Sequence, residues 1–142
     1  VLSYMDDIGE QFEFIALLQP TSPLRNYIDI DKAYKTMLDS KANAVISVCE
    51  FDSKALKALI KTETGFLKGI SNKKYLFMPR QSLPELYIPN GAIYIINVDA
   101  FRKYGSFLTT KTVNYCMPKE RSIDVDSFSD IELIRKSLIV QK

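Results

Sequence analysis

Asp124 and Asp126 stand at i and i+2 within Ser-Ile-Asp-Val-Asp, residues 122–126. In an extended segment that spacing puts both carboxylates on one side, with Ile123 and Val125 turned toward a core. Two carboxylates on one face repel, and the repulsion raises a pKa unless a cation neutralises it. Mg²⁺, which takes oxygen ligands and bridges one or two carboxylates to a substrate phosphate, suits the pair. Asp-x-Asp ahead of a helix serves equally as a cap and as surface charge, and the spacing alone leaves both open. A second polar group follows the apolar run of residues 14–18: Gln19, Thr21, Ser22 and Arg25, set among Pro20 and Pro23. The prolines remove backbone donors and end a strand, so hydroxyls and a cation are left beyond its carboxyl end, where open α/β sheets bind ligands. A tight connection facing water would use the same residues. The chain has no histidine, which excludes a Ser-His-Asp or Cys-His mechanism and His-ligated zinc within it. Chemistry falls to carboxylates, Lys, Arg, Tyr, hydroxyls and a hard metal.

These groups need elements to hold them. Residues 14–18 are a short continuous apolar run, the pattern of a strand covered on both faces, as in the middle of a parallel sheet. Asn26 is a helix N-cap with Asp29 three residues on, and Ile30, Ala33, Tyr34, Met37 and Leu38 form one face of a helix ending near Ser40. With a strand at 45–49 this predicts a right-handed βαβ unit with parallel strands. Leu2, Met5 and Ile8 suggest the last part of a helix, so the chain reads as starting mid-domain. A strongly apolar strand covers 92–98 after a Pro89-Asn90-Gly91 turn, and a short helix from Asp99 ends at Gly105. On that strand Tyr94 reads by default as a core aromatic whose hydroxyl needs a partner. A strand at 113–117 precedes the two aspartates, and Ser127 with Asp130 caps a closing helix with the face Ile131, Ile134 and Leu138.

Between them, residues 50–85 are polar and turn-rich. Residues 54–60 read as a helical turn, Thr64-Gly65-Phe66 as a hairpin tip, and 68–74 as basic and polar. Tyr75, Leu76, Phe77 and Met78 make a compact apolar group that needs a partner, either the chain's own sheet or a second copy.

Composition bounds the function. A chain of 142 residues makes one domain that buries roughly 70% of its unfolded surface. A net charge of +2 with scattered Lys and Arg argues against nucleic acid. No apolar run reaches membrane-spanning length and the N-terminus has no signal-peptide pattern, which predicts a cytoplasmic protein. Cys49 and Cys116 both fall in expected strands and are read as buried free thiols in preference to a disulfide.

Three strings resemble one family. Leu-Leu-Gln-Pro-Thr-Ser-Pro-Leu-Arg at 17–25, Arg80-Gln81 followed by Pro-Asn-Gly-Ala-Ile-Tyr at 89–94, and Arg-Ser-Ile-Asp-Val-Asp-Ser at 121–127 are similar in kind and order to motifs of the acylneuraminate cytidylyltransferases (CMP-sialic acid synthetases). The resemblance implies an α/β fold of nucleotide-diphospho-sugar transferase type, related to the Rossmann fold, with three layers and a mostly parallel sheet. It implies that Gln19, Arg80, Gln81, Asn90 and Tyr94 bind the sugar, Arg80 meeting its carboxylate with a guanidinium fork, and that Lys57, which by its sequence context is one solvated lysine among many, approaches it too. It makes Asp124 and Asp126 the catalytic ligands of Mg²⁺ or Mn²⁺. The implied reaction is attack by the anomeric 2-hydroxyl of a nine-carbon acid sugar on the α-phosphate of CTP, with pyrophosphate leaving. The family is homodimeric through an excursion at 50–85, which would bring Lys57 and Arg80 to sugar held by the other copy's Gln19 and Asn90.

One family feature has no counterpart here, a Gly/Ser/Lys/Arg-rich loop that cradles the CTP triphosphate. The five glycines, Gly9, Gly65, Gly69, Gly91 and Gly105, are scattered. The chain is therefore expected to be the N-terminally truncated, sugar- and metal-binding part of such an enzyme, inactive alone. A non-catalytic sugar-binding or oligomerisation module is the rival from another class, and a synthetase for legionaminic, pseudaminic or 3-deoxy-octulosonic acid the rival within it.

Overall fold

The structure, a computed structural model, describes residues 2–140, with side chains through 135. The chain divides into two compact units, one of residues 1–49 with 89–142 and one of Glu50–Ile88.

The first unit is α/β. Helix α1 (Leu2–Asp7) precedes strand β1 (Phe14–Leu17), helix α2 (Tyr27–Asp39) and strand β2 (Ala44–Phe51); after the second unit, strand β5 (Leu86–Asn97), helix α3 (Val98–Tyr104), strand β6 (Thr112–Cys116) and helix α4 (Phe128–Val140) complete it. The four strands lie in the order β1-β5-β2-β6. β1 runs antiparallel to β5, with Phe14 opposite Asn97 and Leu17 opposite Tyr94. Asn97 donates its backbone N–H to the Asn43 carbonyl while Ile93 donates to Ser47 Oγ, contacts that run in opposite chain directions, so β5 is antiparallel to β2 as well. Only β2 and β6 pair in parallel.

The expectation of a mostly parallel sheet is thus corrected: the sheet is mixed and mostly antiparallel. β1 and β2 do run the same way, as a βαβ unit requires, but β5 is inserted between them. This also corrects the view of β1 as a strand covered on both faces. It occupies an edge, and Leu17 is 44% exposed. An apolar run of this length does not distinguish an edge strand from a central one, because periodicity carries no information about neighbours.

Helix α2 begins where its capping chemistry directs. Asn26 Oδ1 accepts from the Asp29 N–H at 3.0 Å and the Asp29 carboxylate accepts from the Asn26 N–H at 3.1 Å, a reciprocal capping box. Ala33 and Met37 are fully buried, whereas Tyr34 and Leu38 on the same stripe stay exposed. Ala33 and Met37 join Val45, Ile93, Ile95 and Met117 in one core cluster. Ala44, Ile96 and Ala100 form a second, backed by Ile15, Phe101 and Phe107. Ile95 and Ile96, adjacent in β5, enter different clusters as the period of two demands. Helix α3 ends at Gly105, whose φ of +62° is the left-handed cap expected of it. Ahead of α4, Ser127 donates its hydroxyl and its N–H to the Asp130 carboxylate. Ile134 is buried; Leu138 lies outside the described side chains.

Two further expectations change. Pro89, Asn90 and Gly91 lie inside β5, not in a turn before it, with Gly91 at φ +74°. A glycine in this left-handed conformation kinks a strand without ending it. Both thiols are free, but Cys116 is exposed and Cys49 half-buried, because β6 lies at the other edge of the sheet.

The second unit is built from short pieces. A 3₁₀ turn at Ser53–Lys57 is capped by Asp52, a hairpin joins β3 (Leu59–Lys61) to β4 (Leu67–Gly69), and further 3₁₀ turns cover Lys73–Phe77 and Arg80–Ser82. The hairpin tip falls where expected, with Gly65 at φ +85°. No residue of Glu50–Ile88 is fully buried. Among the described residues no helix is long and apolar enough to cross a membrane.

Candidate functional site

Three separate stretches of the first unit meet at Gly91. A β-carbon built on this glycine would collide with Gln19 Oε1 and would lie 3.3 Å from Ser22 Oγ and 3.5 Å from Asp124 Oδ2. The Gln-Pro-Thr-Ser loop, the kinked Asn-Gly of β5 and the Ile-Asp-Val-Asp segment, distant in sequence, therefore converge on one point.

Backbone and side-chain bonds hold them together. Arg25 Nη1 donates to the Gln19 carbonyl at 3.1 Å and to the Ala92 carbonyl at 2.7 Å, folding the loop back onto β5. Ser22, 1% exposed, donates to the Asn90 carbonyl at 3.3 Å. The Val125 N–H donates to the Thr21 carbonyl at 2.9 Å, fastening the aspartate segment to the same loop. Arg25 is thus a scaffold of the loop, its charge turned to carbonyls.

Asn90 is the hub. Its Oδ1 accepts from Ser47 Oγ at 2.6 Å and from the Ala92 N–H at 3.2 Å, and its Nδ2 donates to Ser122 Oγ at 2.9 Å and Met117 Sδ at 3.2 Å. The carboxamide has two donor and two acceptor capacities, and protein groups meet all of them. In this conformation Asn90 latches β2, β5 and residue 122 together, and a sugar hydroxyl at its side chain would replace one of these partners. Gln19 differs: it is half-buried and its carboxamide has no hydrogen-bonding partner among the described residues.

The two aspartates part company. Residues 122–126 are not a strand, and Asp126 is exposed while Asp124 is half-buried. Asp124 Oδ1 is fully buried with no hydrogen-bonding partner. Such an atom is costly to leave unmade, and the simplest remedy is a cation or a donor from a ligand. Among the described residues no three His, Cys, Asp or Glu side chains gather to enclose a metal. Burial pushes the Tyr94 hydroxyl above its ordinary pKa and the Asp124 charge adds to the rise, which places Tyr94 within electrostatic reach of this carboxylate. Its ring stacks edge-on to Phe107 at 5.7 Å.

The remaining candidates belong to the second unit. Lys57 Nζ donates to the Met78 carbonyl at 2.5 Å, Arg80 pairs with Asp52 at 3.7 Å, both side chains of the pair being exposed, and Gln81 is exposed in the Arg80–Ser82 turn. The structure brings Gln19, Asn90, Tyr94 and Asp124 into one neighbourhood; Lys57, Arg80 and Gln81 share another.

Sequence reasoning passed over a buried ionic cluster beside the first of these. Asp29, 0% exposed, accepts from Arg121 Nη2 at 2.6 Å and Nε at 3.2 Å and from Tyr115 Oη at 3.1 Å. Burial alone would push the Asp29 carboxyl up, but the Arg121 hydrogen bonds, the Asn26 N–H, the Arg121 charge and the Tyr115 hydroxyl outweigh it and hold the group below its ordinary range. The only local signal was the capping box, which accounts for one of these four donors.

No family model matches the chain. It is 33% identical over 135 residues to the N-acylneuraminate cytidylyltransferase of Streptococcus agalactiae serotype III (strain NEM316), covering 89% of this chain and 30% of that relative. The enzyme of the same name from Escherichia coli O18:K1:H7 (strain RS218 / NMEC) is 35% identical over 131 residues, with 89% and 30% covered. The post-translational flagellin modification protein B of Campylobacter coli is 29% identical over 124 residues, with 87% and 52% covered. The chain spans 30% of the length of the cytidylyltransferases it matches. Over the 89% of its length that aligns, the chain is similar to the N-acylneuraminate cytidylyltransferases, of which it spans 30%.

Proposed function

We propose that the chain supplies the sugar- and metal-binding part of a cytidylyltransferase that joins CMP from CTP to the anomeric 2-hydroxyl of a nine-carbon acid sugar. The observation that carries this is the convergence on Gly91 of Gln19, whose amide is unengaged, and Asp124, whose Oδ1 is buried without a partner. Gln19 would hydrogen-bond the sugar. Asp124 and Asp126 would hold Mg²⁺ or Mn²⁺, which supplies neutralisation of charge on the phosphates. Arg80, with Lys57 and Gln81, would take the sugar carboxylate, and the protein would act as a homodimer through Glu50–Ile88.

A related acid sugar is a second reading. The test is binding to the 142-residue chain, followed by amide chemical shifts. N-acetylneuraminate, legionaminate, pseudaminate and 3-deoxy-octulosonate are compared with a neutral hexose. One acid sugar should move the Gln19, Gly91 and Tyr94 signals, and Gln19→Ala should weaken its binding by about tenfold, the loss of one well-placed hydrogen bond. Acid sugars that act no differently from the hexose would sink the proposal.

A further inference from the structure

Residues 122–126 have no hydrogen-bonded secondary structure of their own. Their place is set by point contacts: Ser122 Oγ accepts from Asn90 and donates to the Pro118 carbonyl at 2.9 Å, and the Val125 N–H reaches the Thr21 carbonyl. Just upstream, Arg121 closes the short 3₁₀ turn Lys119–Arg121, and its guanidinium lies on Asp29.

That pair is heavier than a capping box requires. An exposed acid at the third helical position would close the box equally well, yet this one is fully buried. Burying a carboxylate carries a heavy desolvation cost even after relaxation, and an apolar pair of similar volume often serves stability as well or better. What an apolar pair cannot do is fix direction. The two parallel bonds from Nε and Nη2 lock the guanidinium plane, and Tyr115 Oη from β6 holds the carboxylate from another side. The chain at 121 is thereby tied at once to the start of α2 and to β6, three residues before Asp124.

We propose that Asp29, Arg121 and Tyr115 form a positioning device that anchors the 122–126 segment and holds the Asp124 carboxylate beside Gly91. That Asp124 binds a metal rests on the function proposed above; that the trio orders the segment does not. Supporting groups of this kind, one step removed from a metal ligand, typically change metal affinity 10–100-fold when altered. None of the three is a catalytic residue, since each acts through the backbone it holds.

The test uses the 142-residue chain and two variants. Arg121→Lys keeps the charge and loses the fork. Asp29→Asn/Arg121→Met removes both charges, so that neither is left buried alone. Two measurements are made on each: hydrogen exchange of the Val125 amide against those of Met37 and Ile93 in the core, and the Mn²⁺ concentration that broadens the Gly91 and Val125 amide signals, with Asp124→Asn as the benchmark. Both variants should exchange at Val125 about tenfold faster while the core amides keep their protection, the pattern of local opening and not of global destabilisation. Both should also need about tenfold more Mn²⁺.

Unchanged Val125 exchange overturns the inference. So does faster exchange with an unchanged Mn²⁺ requirement, since the segment would then be loosened without Asp124 being misplaced. Loss of protection at Met37 and Ile93 in both variants overturns it too, because the pair would be a support of the whole unit. If Mn²⁺ broadens nothing in the unaltered chain, or broadens it equally in Asp124→Asn, the metal reading falls, and Val125 exchange alone decides the positioning claim.

Discussion

Gly91 is the residue on which most depends. Its φ of +74° is a conformation that costs an L side chain about 1–2 kcal/mol, and its absent β-carbon leaves the space that Gln19 Oε1 enters. Gln19 is the far end of a flexible side chain, so in Gly91→Ala it should swing away while the sheet holds. We expect a stability loss of about 1–2 kcal/mol in urea unfolding together with loss of acid-sugar binding. Gly65→Ala is the control: φ is +85° with nothing within 4 Å, so the strain should be similar and the sugar affinity unchanged. Equal effects of the two on binding would mean that Gln19 is not placed by Gly91. Asp29 gives a second residue-level prediction. Its carboxyl is held below the ordinary value in the folded state, so the stability it contributes is fully present above the unfolded-state pKa and lost as pH falls through the lower folded one. The stability difference between the unaltered chain and Asp29→Asn should be flat from neutrality down to about pH 5 and shrink below about pH 4. A difference that stays constant to pH 3 would show that the charge of Asp29 is not what matters.

At the scale of elements, the local chemistry was legible and the neighbours were not. α2 starts at Asn26 and α3 stops at Gly105 because capping and the left-handed glycine act within a few residues, which a sequence displays directly. The place of β1 in the sheet is not legible in its apolar run, which says nothing about which strands flank it; its flank is β5, some eighty positions later. The Asn-Gly pair has the chemistry of a turn, and only the long-range bonds of Asn90 to Ser47 and Ser122 show it serving inside a strand. Arg121 with Asp29 was invisible for the same reason, being a contact across 92 positions. The motif strings named Gln19, Asn90 and Asp124 as candidates, while their convergence around Gly91 is visible only in the fold. Ser47 joins β2 to β5 through a hydroxyl that donates to Asn90 and accepts from the Ile93 N–H at 2.7 Å. Ser47→Ala leaves a buried N–H without a partner and frees half of Asn90's oxygen. It should cost about 1–3 kcal/mol by denaturant unfolding, and a cost within error of zero would mean that buried water replaces the hydroxyl.

At the scale of the molecule the open matter is what the Glu50–Ile88 unit does with its apolar surface. Phe77 is 91% exposed, Phe66 75%, Leu67 68% and Ile70 54%, in a unit with no fully buried residue. Exposed apolar side chains, where they form one patch, mark an interaction surface, and a two-fold dimer buries the same patch from both copies. Under the proposed function Arg80 of one copy serves the sugar held by Gln19 of the other, and subunit mixing tests this. Gln19→Ala is preferable to a change at Asn90, because Asn90 latches the fold whereas Gln19 does not. Chains carrying Arg80→Ala or Gln19→Ala alone should form dimers by sedimentation and bind acid sugar weakly. Refolded together in equal amounts, about half of the dimers are mixed and each mixed dimer holds one site with both residues intact, so about a quarter of the normal number of sites should reappear at normal affinity. Titration calorimetry reads that stoichiometry directly. Mixed dimers that form with no high-affinity sites would place Arg80 and Gln19 of a working site in one copy, and chains that stay monomeric at all concentrations would remove the dimer from the proposal.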